Sequence, residues 1–228
     1  MQHNYSPSLL NSLGGGVPKS LHQTRGFMDF PRLAPEDLKS LQDLGWSRVG
    51  VAAIFVNPKN EILVLKHQPD GDKILGIQYG VLSETSRVLH GGNYSDSIEQ
   101  PLETLLRGVK EELGINLRQI NALVPTTNPW IFSQEWPVGG KHGTERIFAI
   151  CSVIFVDETS AKLLVKQYRK GNKEIAAANF MTLDMIPSLP LRDGTRESLD
   201  QIYSSGLLNY SGKFKSLFES EKIEAEVI

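Results

Sequence analysis

Two apolar runs rich in β-branched residues, RVGVAAIFV at 48–56 and EILVLKHQ at 61–68, are separated by the turn-forming stretch NPKN. No other stretch constrains the fold as strongly. Such runs suit a pleated surface, and a short Pro/Asn turn between them predicts a hairpin. GIQYGVLSET at 76–85 predicts a third strand, weakened by its two glycines. The apolar run ERIFAICSVIFV at 145–156 predicts a core strand, and QINALVP and EIAAANFMTL predict two more. NPWIFSQEWPVGGKHG, between those runs, reads as a long loop or irregular hairpin carrying Trp130, Phe132 and Trp136.

Helical periodicity marks three places. Pro35 followed by Glu36 and Asp37 begins a helix carrying Leu38, Leu41 and Leu44, which Gly45 closes. TSAKLLVKQYRK predicts a short surface helix, and DMIPSLP a short capped turn. From about Ser97 to Leu113, Leu102, Leu106, Val109 and Leu113 form one apolar stripe. Asp96 or Ser97 is the expected cap, Pro101 falls in the first turn, and Gly114 ends the helix. Strands and helices do not alternate regularly, so the class is α+β, or a mixed sheet with flanking helices. Residues 1–30 are expected to be a mobile lead segment, 31–190 the domain with its N-terminal helix, and 191–228 a helical extension.

Composition removes several functions. The formal net charge is -2, from 24 basic and 26 acidic side chains, which argues against a nucleic-acid binder but leaves small phosphorylated ligands open. The single cysteine, Cys151, excludes an intrachain disulfide and a Cys-rich zinc site. No run approaches the roughly 18 apolar residues of a membrane helix. The expectation is a soluble cytoplasmic protein with no membrane partner.

The chemistry centres on RGVKEELGI, residues 107–115. Glu111 and Glu112 are adjacent acids near a helix C-terminus, where the helix field is unfavourable to them and they repel each other. A divalent cation reverses both penalties, because hard cations take carboxylate oxygens. The plainer reading is a solvated face, with Arg107 offsetting Glu103 and Glu111 at helical spacing. A wheel of about 100° per residue puts Thr104, Gly108, Glu111, Glu112 and Ile115 on the side opposite the leucine/valine stripe.

The surroundings favour the metal. The run from Glu99 to Ile115 resembles the Nudix box, a pattern of Gly, five residues, Glu, seven residues, then Arg-Glu-aliphatic-any-Glu-Glu-any-Gly-aliphatic. Glu99, Arg107, Val109, Glu111, Glu112, Gly114 and Ile115 match it. The resemblance covers residues 48–190 and implies a Nudix-type α/β/α sandwich with a mixed β-sheet. It also implies a hydrolase that cleaves the diphosphate linkage of a nucleoside diphosphate joined to another moiety. Glu111 and Glu112 are then ligands of Mg²⁺ (or Mn²⁺), Glu99 and Arg107 brace the loop against the helix, and Gly114 stops the helix. The metal neutralises phosphate charge and activates a water.

Two positions depart from the pattern. Asn93 occupies the first glycine slot, just after Gly91 and Gly92, and Gly108 occupies the slot of the acid after the arginine. Glu84 is the first choice to replace that acid; Glu145, Glu174, His90 and His142 are the others. Trp130 and Trp136 are candidates to stack on a nucleobase, against the alternative of a packed loop. The competing function keeps the fold without the chemistry: a Nudix-fold module that binds a nucleotide-like ligand or a protein partner. Isomerisation of prenyl diphosphates is a third option whose residues cannot be placed. A homodimer is left open.

Overall fold

The computed structural model describes residues 33–43, 45–46, 48–68, 76–87, 98–120, 122–123, 130–137, 144–167, 174–192, 194–196 and 198–199. The expectations for the lead segment, Leu44, His90, Gly91, Gly92, Asn93, Asp96, Ser97, His142 and the tail beyond residue 199 lie outside these residues. The described residues fall into two compact units. The first comprises residues up to Ala53 with Ser83–Arg107 and Val124–Ser152. The second comprises Ile54–Leu82, Gly108–Leu123 and Val153 onward.

In the first unit, helix α1 spans Pro35–Asp43. Asp37 reaches back so that its Oδ2 accepts the Ala34 N–H at 2.8 Å, satisfying a donor the helix start would otherwise strand. Leu38 and Leu41 are buried. Gly45, at φ 83°, turns the chain so that Trp46 N–H reaches the Leu41 carbonyl and Gly45 N–H that of Gln42, the Schellman arrangement that favours glycine. Trp46 then meets Phe148 edge-on, with ring centroids 6.0 Å apart. Strand β1 spans Arg48–Val56, running from the first unit into the second after Ala53, and is buried at every position after the first. Continuous rather than alternating burial means both faces are covered.

In the second unit, strand β2 (Ile62–His67) follows the turn at Asn57–Asn60. The Asn57 side-chain oxygen accepts from Lys59 and Glu61 N–H groups, and Asn60 takes the left-handed conformation at φ 64°, which asparagine tolerates better than most residues. The expected third strand is two shorter ones, β3 (Gln78–Gly80) and β4 (Leu82–Thr85). They break beside Gly80, and β3 pairs with β2 while β4 pairs with β1.

Helix α2 spans Pro101–Leu113, so it begins four residues later than the stripe predicts and its cap position falls on Gln100. Strand β5 (Ala122–Leu123) is shorter than expected, after a 3₁₀ turn at Leu117–Gln119. Of the two readings of NPWIFSQEWPVGGKHG, loop or irregular hairpin, the hairpin holds: strand β6 (Trp130–Pro137) pairs antiparallel with β7 (Thr144–Val156), placing Trp130 opposite Cys151 and Trp136 opposite Glu145. Helix α3 (Glu158–Gln167) is capped by Asp157 Oδ1, which accepts the Ser160 N–H at 2.7 Å. Strand β8 (Ile175–Met181) pairs along the whole of β2, with one irregularity at Lys66/His67. The β1–β2, β2–β3, β2–β8, β5–β7 and β6–β7 pairings are antiparallel, and the fold is α+β.

The chain then returns to β3. Tyr79 N–H donates to the Pro190 carbonyl and Arg192 N–H to that of Tyr79, forming a parallel bridge between Tyr79 and Leu191. Arg192 Nη1 lies 3.1 Å from His67 Nδ1 and 3.3 Å from Nε2. Burial, then the Arg192 charge, lowers the His67 pKa to about 4, so the ring is neutral near pH 7. A Cβ at Gly80 would stand 3.3 Å from side-chain atoms of Arg192, His67 and Thr195, so a larger residue there requires these side chains to give.

Candidate active site

Helix α2 carries the candidate chemistry, and its first turn is fixed from both ends. Gln100 N–H donates to Glu103 Oε2 at 3.2 Å, and Thr104 N–H donates to the Gln100 carbonyl at 2.9 Å. Proline at the first helical position has no N–H to strand there. Just before Gln100, Glu99 N–H donates to the Arg87 carbonyl, and Arg87 N–H donates to Glu99 Oε2 at 3.3 Å.

Arg107 is the hub. Its Nε donates to both oxygens of Glu99 at 3.0 and 3.1 Å, and its Nη2 to Glu99 Oε2 at 2.8 Å. Nη2 also donates to the Thr85 carbonyl at 2.7 Å, and Nη1 lies 3.2 Å from Glu84 Oε2. A guanidinium suits this task because its donors are planar and fixed, so one side chain can serve two carboxylates and a carbonyl. Thr104 Oγ1 completes the shell, donating to Glu99 Oε2 at 3.2 Å and sharing a buried 2.9 Å hydrogen bond with Ser86. Burial pushes the Glu99 carboxyl up, but the hydrogen bonds and charge of Arg107 outweigh it and hold the pKa below the ordinary value. Arg107 is held above its ordinary value, first by the hydrogen bond to Glu99 and, against desolvation, by the Glu84 charge.

Further along α2 the expected faces change. Pro101, Thr104, Leu105, Gly108, Val109, Glu112 and Leu113 are buried, whereas Leu102 and Leu106 are half-buried. At about 100° per residue these buried positions cover roughly half the circumference, and Glu112 lies near the middle of that arc. The two glutamates therefore part company: Glu111 is exposed, and Glu112 is 6% exposed. A solvated face carrying both does not describe this helix. Gly108 is buried one turn before Glu112. Gly114, at φ 69°, ends the helix as expected.

Glu84 is half-buried and engaged by Arg107 rather than open. Its Oε1 accepts the Thr85 N–H at 3.0 Å. Glu174 is exposed, and its carbonyl accepts the Gln68 N–H. Among the described residues no group of three or more His, Cys, Asp or Glu side chains could hold a metal ion. Two carboxylates still fit Mg²⁺, which is commonly held by one or two carboxylates, with waters and substrate phosphates completing the shell. Sequence reasoning missed Ser86, Thr104 and the Thr85 carbonyl. A hydroxyl three residues before Arg107, on the same helical face, was the available signal.

The model of the NUDIX domain family matches residues 46–202, more than half of the chain. The chain belongs to the NUDIX family. The activity class that NUDIX membership supports is pyrophosphohydrolase-type, and hydrolases of the family generally use divalent metals. No curated protein matches the chain. Several solved structures are similar to it. A NUDIX hydrolase from Nitrosomonas europaea is 18% identical over 70% of this chain and 89% of its own, with a TM-score of 0.44. A MutT NUDIX hydrolase from Burkholderia pseudomallei is 22% identical over 68% and 97%, with a TM-score of 0.43. The NUDIX domain of Shewanella oneidensis NrtR, complexed with ADP ribose, is 12% identical over 69% and 87%, with a TM-score of 0.41. Among the described residues no helix is long and apolar enough to cross a membrane.

Proposed function

We propose that this NUDIX chain is a divalent-metal-dependent hydrolase of a nucleoside diphosphate joined to another moiety. The observation that carries the reading is the Glu99–Arg107 clip, with Arg107 in two-fold contact with Glu99 on the helix that ends in Glu111 and Glu112. Glu111 and Glu112 hold Mg²⁺ or Mn²⁺. When bound, the cation supplies charge neutralisation of the diphosphate and activation of a water. The clip braces the start of the helix that carries the two carboxylates. Glu84 takes the role that Gly108 leaves open, accepting the proton of the water whose oxygen bonds to phosphorus as the bridging P–O bond breaks. Arg107 holds the Glu84 carboxylate through Nη1. Trp130 and Trp136, on β6, stack on the base.

The test is turnover of a panel of nucleoside diphosphate derivatives and nucleoside triphosphates by the full chain with Mg²⁺ or Mn²⁺, followed by chromatography. The expected result is metal-dependent cleavage that falls by about two orders of magnitude or more in Glu112→Gln and Glu84→Gln. Absence of turnover with every substrate and both metals sinks the reading.

A second reading rests on Gly108, buried where the family pattern has an acid. It makes the chain a NUDIX-fold module that binds such a ligand without cleaving it. Binding by calorimetry, with no product at any metal concentration, selects it.

A further inference from the structure

The family match begins at residue 46, yet the described chain ahead of it is fastened to the start of α2. Leu33 N–H donates to Gln100 Oε1 at 2.9 Å, and Gln100 Nε2 donates to the Leu33 carbonyl at 3.2 Å, across 67 residues of sequence. A carboxamide does what a strand neighbour does: it satisfies the donor and the acceptor of one residue together. Leu33 is 4% exposed and runs directly into α1, whose Leu38 and Leu41 are buried too.

Gln100 occupies an unusual place for such a contact. It holds the cap position of α2, where Ser, Thr, Asp or Asn would turn its side chain onto the helix's own N–H groups. Here only the reciprocal half of a capping box is made, with the Glu103 carboxylate accepting the Gln100 N–H. The Gln100 side chain is instead committed to Leu33. Its two backbone neighbours are Glu99, the carboxylate that Arg107 grips, and Pro101, the first residue of the helix. Gln100 thus adjoins the residue whose carboxylate meets Arg107, Thr104 and the Arg87 N–H.

We propose that Gln100 is a positioning residue through which Leu33 and helix α1 set the Glu99–Arg107 clip. The segment ahead of the NUDIX domain is then part of the machinery that aims α2. The effect on turnover rests on the hydrolase reading; the positioning itself does not.

The experiment uses the full chain with ¹³C-labelled glutamate. The Glu99 carboxyl is titrated by NMR, and amide exchange is measured in parallel. Gln100→Met keeps the bulk of the side chain and removes both hydrogen bonds, so it separates bonding from packing; Gln100→Glu keeps one acceptor and loses the donor. In both, the Glu99 midpoint is expected to rise by about half a pH unit or more towards its ordinary value. Exchange at Leu33 and Glu99–Thr104 is expected to accelerate about tenfold, with β2 and β8 unchanged. An unmoved Glu99 midpoint in Gln100→Met overturns the proposal. So does acceleration in β2 and β8 equal to that in α2, since the glutamine would then contribute general stability alone. Neither readout needs turnover, so an inactive parent with a shifted Glu99 sinks the hydrolase reading and leaves the positioning role standing.

Discussion

Replacing Arg107 with lysine keeps the charge and removes the fork, and the structure sets what that should cost. The guanidinium serves both Glu99 oxygens, the Thr85 carbonyl and Glu84 at 2.7–3.2 Å. One ammonium on a flexible stem cannot span all of these, so at least two charge-assisted hydrogen bonds are lost. Each such bond contributes about 1.5–3 kcal/mol. The side chains of Arg107, Glu99 and Glu84 are 13%, 12% and 23% exposed, which places the pair between a surface bridge and a buried one. The retained charge recovers part of the loss. The net expectation is about 2 kcal/mol, which for a chain of this length lowers the thermal midpoint by about 4–8 °C. Circular dichroism melts at low ionic strength and pH 7 measure it. A double-mutant cycle with Glu99→Gln should return a coupling above about 1 kcal/mol. A midpoint for Arg107→Lys within about 1 °C of the parent would refute the reasoning, because the clip would then be no stronger than an exposed ion pair.

Three further outcomes are expected. His67 is neutral in the fold with a pKa near 4 against an ordinary 6.5, so the unfolded chain takes up more protons between these values. Its contribution to stability is complete above about pH 6.5 and is lost as pH falls towards 4, by at most about 1.4 kcal/mol per unit, and urea melts of His67→Gln should be flatter across that window. In Gly50→Ala the new Cβ meets Ile147 Cγ2 at 3.1 Å and the Glu84 carbonyl at 3.2 Å; backbone gives poorly, so a loss of about 1–3 kcal/mol is expected in urea unfolding, and an unchanged midpoint would contradict it. Gly108→Glu restores the acid of the family pattern one turn before Glu112 and should tighten Mn²⁺ binding in calorimetry while raising any hydrolysis; loss of existing activity would show instead that the glycine makes room for something.

The hairpin and the C-terminal ends of α1 and α2 were legible because each rests on local chemistry. NPKN fixes the β1–β2 turn through the Asn57 side chain, and Gly45 and Gly114 supply positive φ where two helices end. Glu99 and Arg107 were legible as a pair only through the box pattern, since eight residues of separation say nothing about contact until the helix start is known. The burial of α2 was not legible. An apolar stripe marks the face that must be covered, but it does not say how much of the remaining face a neighbour also covers. Thr104, Gly108 and Glu112 are buried despite lying off the leucine line. Trp130 and Trp136 were read as part of a long loop or irregular hairpin, and the sequence did not show that the first arm would be a regular strand of 8 residues paired with β7. The His67–Arg192 contact had no sequence signal at all.

That last contact also orders events during synthesis. The bonds that bind residues 190–192 to Tyr79 and His67 close over a separation of up to 125 residues. Contacts of such range form late, since the intervening chain must first be confined. Strand β3 therefore emerges from the ribosome well before its C-terminal partner exists, and its backbone donors stay open to water or to a wrong partner until then. A chain cut short before Arg192 would keep that opening for good, and aggregation on expression is the behaviour such a truncation should show.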